Sequence, residues 1–540
     1  MSRDLIKRIL NARLYDVAIK TPLQQAPKLS SQLRNRILLK REDLQPVFSF
    51  KIRGAYCKLA QLDDQQRQLG VITASAGNHA QGLALAAQAM DCPAIIVMPV
   101  TTPDIKIDGV RARGAQVVLH GDTFSEALSH ALSQCALHGL TFIHPYDDLD
   151  VIAGQGTIGL EILEQCTMPD AIFVPVGGGG LIAGIAAYIK YVSPQTRVIG
   201  VEPEDSNCLQ QALQAGQPVP LAQVGHFADG VAVSQVGKHT FELCRRHVDQ
   251  VITVNDDEIC AAIKSVFEET RSILEPSGAL AVAGIKRYVH QSGSVGQCLV
   301  AINSGANINF DRLRHVAERA ELGQQREALC AVTLAELKGS FWSLCELLEG
   351  HQLTELGYRR QPGNQAQVFL GVQTHPSQAP RDKLIGMLAS FGFPVQDLTD
   401  NELAKTHVRH MIGGRSQALP DERIVSFDFP ERPGALFRFL EQLDTRWDIS
   451  LFHYRNHGAA QGRVLMGLIV PPGDEAKMRE VLDAVGHRYQ DETDNPAYQL
   501  FLGISAKANP GETVNQVQSA ESATLRRPYR HLSLEQETVS

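Results

Sequence analysis

The stretch AIFVPVGGGGLIAGIAAYIK, residues 171–190, decides how most of this chain is read. An apolar run ends in four consecutive glycines, Gly177 to Gly180, and leaves through Leu181 into a small-residue helical pattern. Glycines let a backbone approach an anion closely, and a helix opening behind them offers unpaired N–H groups and the positive end of its dipole. The spacing therefore predicts a strand, a phosphate cradle and a helix. It is not a nucleotide P-loop, because no Lys-Ser or Lys-Thr follows the glycines. It does satisfy G-x-G-x-x-A through Gly178, Gly180 and Ala183, and the next strand, RVIGVE, ends in Glu202, where a ribose-binding acid would stand. Read by itself, the stretch also suits a dinucleotide-binding oxidoreductase.

Outward from this unit, the same theme recurs between about residues 35 and 310. VITAS (71–75), AIIVMPV (94–100), QVVLHG (116–121), RVIGVEPE (197–204) and CLVAINSGAN (298–307) are short apolar, β-branched runs. Each gives way to glycine or a small polar residue and then to a helical pattern. Such alternation predicts a doubly wound α/β architecture, whose ligands sit beyond the carboxyl ends of the strands. The length of 540 residues exceeds what one core supports, so two or three domains are expected.

Composition narrows the class. Hydrophobic residues make up 44% and charged residues 20%, ordinary for a globular protein, and the net charge of -8 argues against nucleic acid or an anionic membrane as the main partner. No uncharged apolar run approaches the ~18 residues of a membrane span, and MSRDLIKRILNARLYD lacks the apolar core of a secretory signal. The ten cysteines are scattered, with no pair spaced as a metal clip or redox motif. They read as reduced thiols of a cytoplasmic protein with no metal site.

Three further strand ends carry chemistry. In VITASAGNHAQG, residues Ser75, Ala76, Gly77, Asn78 and His79 form a tight turn into a helix, whose converging N–H groups suit a carboxylate or phenolic oxygen; Ser75 and Asn78 would otherwise be simple caps. In AINSGANINF, Ser304 and Asn307 follow a buried strand. In FSFKIRGAY (48–56), Lys51 stands among apolar residues. Its stem packs there with the ammonium in water, or it is a desolvated amine fit for a Schiff base. A lysine nucleophile, a phosphate site and a site for a carboxylate or phenolate together suit one cofactor, pyridoxal 5′-phosphate (PLP).

SFKIRGA, TASAGNHAQG, PVGGGGLIAG and NSGANINF closely resemble the PLP-dependent serine/threonine dehydratases of fold type II, over roughly residues 10 to 503. The resemblance implies that Lys51 is the Schiff-base lysine and takes the α-proton, that Asn78 meets the ring hydroxyl, and that Gly177 to Leu181 cradle the phosphate. Ser304 would face the pyridine nitrogen, and the Ser75–His79 turn would hold the substrate carboxylate. A neutral hydroxyl at that nitrogen stabilises a pyridinium poorly, which favours expulsion of a β-substituent over transamination. The implied reaction is deamination of L-threonine, and of L-serine, to a 2-oxoacid and ammonia, the committed step of isoleucine biosynthesis. A β-replacement synthase is the alternative within this chemistry, although those relatives commonly follow the lysine with Asp-Arg, where this chain has Ile52-Arg53. Arg53 is a candidate for orienting the lysine turn or for a structural ion pair, and His144 and Glu275 are weaker candidates for the cleft.

Beyond residue 320 an internal repeat appears. EALCAVTLAELKGSFWSLCELLE (327–349) matches ERIVSFDFPERPGALFRFLEQLD (422–444), and ELGYRRQPGNQAQVFLGV (355–372) matches LFHYRNHGAAQGRVLMGL (451–468). Tyr358 answers Tyr454 and Gly371 answers Gly467, each 96 residues apart. The βαββ order in two copies predicts tandem ferredoxin-like α+β units. The expected divisions are 1–325 for the catalytic domain, 326–398 and 422–493 for the repeats, and a mobile tail over 505–540. The resemblance implies that the repeats are ACT-like regulatory units binding isoleucine, which inhibits, and valine, within a homotetramer. Tyr358, Gly434, Leu436 and Tyr454 are the candidate effector contacts.

Overall fold

A computed structural model describes residues 2–100, 102, 104–225, 227–310, 312–337, 339–360, 364–375, 380–401, 404–405, 408–410, 421–430, 435–443, 446–455, 461–485, 489–495 and 498. Two compact units result: one from residues up to Ala328 with Thr374–Arg381, the other from Leu329–Gln373 and the described residues from Asp382 onward.

The first unit contains two twisted sheets. The larger runs in the order Leu23–Gln25, Arg36–Arg41, Cys298–Asn303, Ala171–Pro175, Arg197–Pro203, Gln250–Val254. Its first pair is antiparallel and the others are parallel. The smaller sheet is all parallel, in the order Gln116–Leu119, Ala94–Met98, Val71–Ala74, Thr141–Phe142. The inner strands are continuously apolar because helices cover both faces: Ile172, Phe173, Val174, Val198, Ile199, Leu299 and Val300 are all fully buried.

Three helices that carry or flank the strand-end motifs pack through glycine. A Cβ on Gly154 would lie 2.5 Å from the Arg53 carbonyl oxygen, and one on Gly184 would lie 2.3 Å from that of Ile152. Helix Leu149–Gln165 thereby meets Lys51–Leu59 on one side and Gly180–Val192 on the other at backbone contact. The lysine segment is also stitched to the end of the central strand. Phe50 N–H donates to the Ser304 carbonyl at 3.2 Å, Ala306 N–H donates to Phe48 at 2.9 Å, and Ser49 bridges Gly305. Lys51 therefore opens a helix beside a strand end.

The second unit is one eight-stranded sheet in the order Val395–Asp397, Glu327–Ala335, Gln365–Gln373, Leu353–Arg359, Asp448–Arg455, Gln461–Ile469, Glu422–Pro430, Tyr489–Asp491. Each half is a βαββαβ unit, one helix and one short strand longer than the βαββ that the sequence repeat displays. The halves join through equivalent strands. Leu356 pairs with Tyr454 and Tyr358 with Phe452, so a pseudo-twofold axis passes through the Gly357–His453 pair. Residues 505–540, expected as a tail, lie outside the described residues.

Candidate active site

Lys51, Asn78, Gly177, Gly178, Gly179, Gly180, Leu181 and Ser304, drawn from four separate segments, line one cavity of about 550 Å³, counting its part open to solvent. That is room for a small cofactor with a small substrate. Glu275 lines it too, as do Tyr146, Gln155 and Ser277, which sequence reasoning missed. Ser277 had a signal: it follows Glu275-Pro276, and proline opens the helix Pro276–Ser292 there.

The glycine loop cannot carry side chains. A Cβ on Gly178 would sit 2.3 Å from the Tyr146 ring, and one on Gly177 would sit 2.9 Å from Val231 Cα. Gly179, at φ +90°, caps the helix Gly180–Val192 and leaves its first N–H groups to the cavity. Thr240 Oγ1 donates to the Gly178 carbonyl at 2.8 Å and fixes the loop from behind. The half-buried Lys51 sets its amine 5.1 Å from the centre of the Phe50 ring in the same cavity. Burial lowers its pKa to about 8, opposed by the charge of Glu275. Burial raises the Glu275 carboxyl to about 7, with Asp229 adding to the rise and Asn78 and Ser277 opposing it. Ser304, 4% exposed, donates its hydroxyl to the Ser277 carbonyl at 3.3 Å, so no charge lies at that position.

The turn before Asn78 divides. Ser75 Oγ accepts from Gly77 N–H at 3.3 Å, and a Cβ on Gly77 would meet nothing within 4 Å, so open space adjoins the helix N-terminus there. Ala76 is half-buried in the same turn. The His79 side chain instead faces inward: Nε2 lies 3.1 Å from the Ile143 carbonyl, and burial, with the Lys51 charge adding, lowers the ring to about 3. A neutral His79 supports the turn from beneath and offers only its backbone to a ligand. His144 likewise serves its own loop, its Nδ1 accepting from the N–H groups of Tyr146 and Asp147. Arg53 points away from the cavity into a buried ion cluster. Glu202 cannot serve a ribose, because both its oxygens accept N–H groups of Leu209 and Gln210 at 2.8 and 2.9 Å. The dinucleotide reading loses its acid.

An amine of lowered basicity, a glycine cradle with no room for side chains and a neutral hydroxyl, all lining one cavity, define a PLP-dependent enzyme. Residues 14–305 match the family of pyridoxal-phosphate dependent enzymes, and 318–408 and 413–502 each match the C-terminal regulatory domain of threonine dehydratase. The chain is 54% identical over 505 residues to the biosynthetic L-threonine dehydratase of Burkholderia multivorans, covering 93% of this chain and 99% of that one. It is 51% identical over 500 residues to that of Escherichia coli, covering 92% and 97%. Among solved structures, a processed threonine deaminase isoform 2 from Solanum lycopersicum aligns with TM-score 0.59 and 51% identity over 59% of this chain and 93% of that one. The chain belongs to the biosynthetic threonine dehydratase family.

A second cavity, about 710 Å³ on the same measure, lies within the second unit. Phe341, Trp342, Leu440, Leu443 and Trp447 give it apolar walls, and Glu336, Arg360 and Asp448 give it charge. Arg360 lies 3.5 Å from both carboxylates. Of the candidate effector contacts, Tyr358 lines this cavity and donates its hydroxyl to Glu336 at 3.3 Å. Tyr454 is buried with its hydroxyl on the Leu353 carbonyl at 3.2 Å. Leu436 belongs to the helix Ala435–Leu443, and Gly434 lies outside the described residues. Among the described residues no helix is long and apolar enough to cross a membrane.

Proposed function

We propose that the protein deaminates L-threonine, and also L-serine, to 2-oxobutanoate (pyruvate from serine) and ammonia in the cytoplasm, at the committed step of isoleucine biosynthesis. The observation that carries the reading is the Lys51 amine sharing one cavity with the Gly177–Gly180 cradle, in a chain so similar to biosynthetic L-threonine dehydratases. PLP, when bound, supplies a conjugated electron sink that acidifies Cα–H and allows the β-substituent to depart. This chain's residues do the rest. Lys51 would hold the cofactor through its amine and, as a free amine, would take the α-proton on Nζ. The backbone N–H groups of Gly177 to Leu181 would bind the phosphate, and Asn78 would meet the ring oxygen. The N–H groups of the Ser75–His79 turn, beside the open space at Gly77, hold the substrate carboxylate. Ser304, neutral, would meet the ring nitrogen without a charge to hold a proton there, which would favour loss of the β-hydroxyl as water over reprotonation. That water is returned when the enamine product tautomerises and hydrolyses, which balances threonine against 2-oxobutanoate and ammonium.

We assign the cavity of the second unit to isoleucine, with valine as a competing ligand. The aromatic and leucine walls suit a branched side chain, Arg360 suits the α-carboxylate, and Glu336 with Asp448 suits the ammonium. Residues 326–398 and 422–493 act as ACT-like regulatory units, and the working form is a homotetramer. A typical coupling of 1–3 kcal/mol corresponds to about a 5–150-fold change in threonine affinity. The test is the initial rate of 2-oxobutanoate release against threonine concentration, with and without isoleucine. We expect release from threonine and a rise in the threonine concentration needed when isoleucine is present. Absence of 2-oxobutanoate from PLP-loaded protein refutes the reaction, and rates indifferent to isoleucine refute the effector assignment.

A further inference from the structure

Three carboxamide and carboxylate side chains beside the cavity form a chain with one allowed direction. Asn307 Nδ2 donates to the Val47 carbonyl at 2.8 Å and to Asn78 Oδ1 at 2.7 Å, and Asn78 Nδ2 donates to Glu275 Oε1 at 2.6 Å. A backbone carbonyl only accepts, so Val47 obliges Asn307 to present its nitrogen. That nitrogen in turn obliges Asn78 to present its oxygen to Asn307 and its nitrogen to Glu275. The carboxamide of Asn78 therefore has no freedom to flip, even though its two ends have nearly the same shape. The partners come from four places in the chain, with separations of 260, 229 and 197 residues. Glu275 reaches its place only because residue 305 is glycine: a Cβ there would lie 2.3 Å from Oε1.

We propose that Asn307 and Glu275 are positioning residues that lock Asn78 with its second N–H committed to the cofactor's ring oxygen. A flipped Asn78 would set its carbonyl against that electron-rich oxygen and repel it. The inference rests on the reading of Asn78 as a cofactor contact and adds what makes that contact one-sided.

A double-mutant cycle tests it, with PLP itself titrated into cofactor-free protein and binding read from the visible absorbance of the lysine-bound cofactor. Asn78→Ala is expected to weaken PLP binding about tenfold, the effect of losing one well-formed hydrogen bond at a buried site. Asn307→Ala is expected to weaken binding about tenfold in the Asn78 background and less than about twofold in the Asn78→Ala background, because its effect passes through Asn78. A purely structural role for Asn307 gives equal losses in both backgrounds and overturns the proposal, as does no loss in either. If Asn307→Ala does not fold, Asn307→Ser is run through the same cycle with the same expectation, since a hydroxyl is too short to hold the Val47 carbonyl and Asn78 together. Unchanged PLP affinity in Asn78→Ala alone overturns the reading of Asn78 itself, which separates that failure from a failure of the lock.

Discussion

Replacing Arg53 with methionine should destabilise the first unit by about 3–5 kcal/mol, the cost of removing one partner from a buried ion cluster. Arg53, Glu42, Glu161 and Lys40 all have side chains at 0% exposure, two cations against two carboxylates. Arg53 donates to Glu42 at 2.7 and 2.8 Å and to Glu161 at 2.6 and 3.0 Å, with further bonds to Thr157 and the Ile19 carbonyl at 3.1 Å. Methionine fills much of the volume and makes none of these bonds, so two carboxylates face one lysine where no water reaches. With a urea slope of about 3 kcal/mol/M for a unit of this size, the midpoint should fall by roughly 1 M. Far-ultraviolet circular dichroism with the visible band of bound PLP follows this unit, because both tryptophans, Trp342 and Trp447, lie in the other. The deficit should also depend on pH. Burial acts to raise Glu42, and Arg53 is the leading influence holding it below its ordinary 4.5. In the wild type this contributes stability above that value, lost as pH falls through the lowered one. Without Arg53 burial prevails and Glu42 rises, so the variant recovers by taking up a proton. The gap between variant and wild type should narrow from pH 8 to pH 5.5. A midpoint shift below about 0.3 M, or a gap that widens on acidification, refutes this account of the cluster.

Two further outcomes follow from the cavities. Capture of the PLP aldehyde needs the free amine, and burial sets Lys51 at about 8, so reconstitution of cofactor-free protein should accelerate as pH rises from 7 and level off above about 8.5, measured by stopped-flow absorbance. A profile still climbing at pH 10 would show an ordinary surface lysine. Isoleucine should change the tryptophan emission in a saturable way, since Trp342 and Trp447 both line the cavity of the second unit; Arg360→Ala should weaken that response at least tenfold, and an unchanged titration would remove Arg360 from the site.

The sequence displayed the parts of this protein that are local. The glycine run and the doubly wound pattern were legible locally, because a buried parallel strand is a continuous apolar run, whereas Lys51 and the Asn-His turn each kept an ordinary structural reading until the motifs were taken together. What it hid is tertiary. The partners of Arg53 lie 11 and 108 residues away, and no spacing rule links them. His79 read as part of an anion-binding turn because Asn-His after a strand looks like a cap; the Ile143 carbonyl that turns its ring inward is 64 residues on. The last helix and strand of each repeat went unread for a different reason. Arg381–Ser390 buries only Leu384 and Leu388, and Val395–Asp397 is three residues with two exposed, too little apolar pattern to register. Gln155 lines the cavity from within an apolar helix, where a single polar residue ordinarily reads as tolerated packing.

The central claim is that Lys51 is the residue that holds PLP and moves the proton. Borohydride reduction of the yellow holoprotein, followed by proteolysis and mass spectrometry, tests it directly. The account predicts a single peptide containing Lys51 that carries the reduced cofactor on Nζ, and no such label in Lys51→Ala protein. Label recovered on any other lysine, or threonine deamination persisting in Lys51→Ala at near wild-type rate, would contradict it.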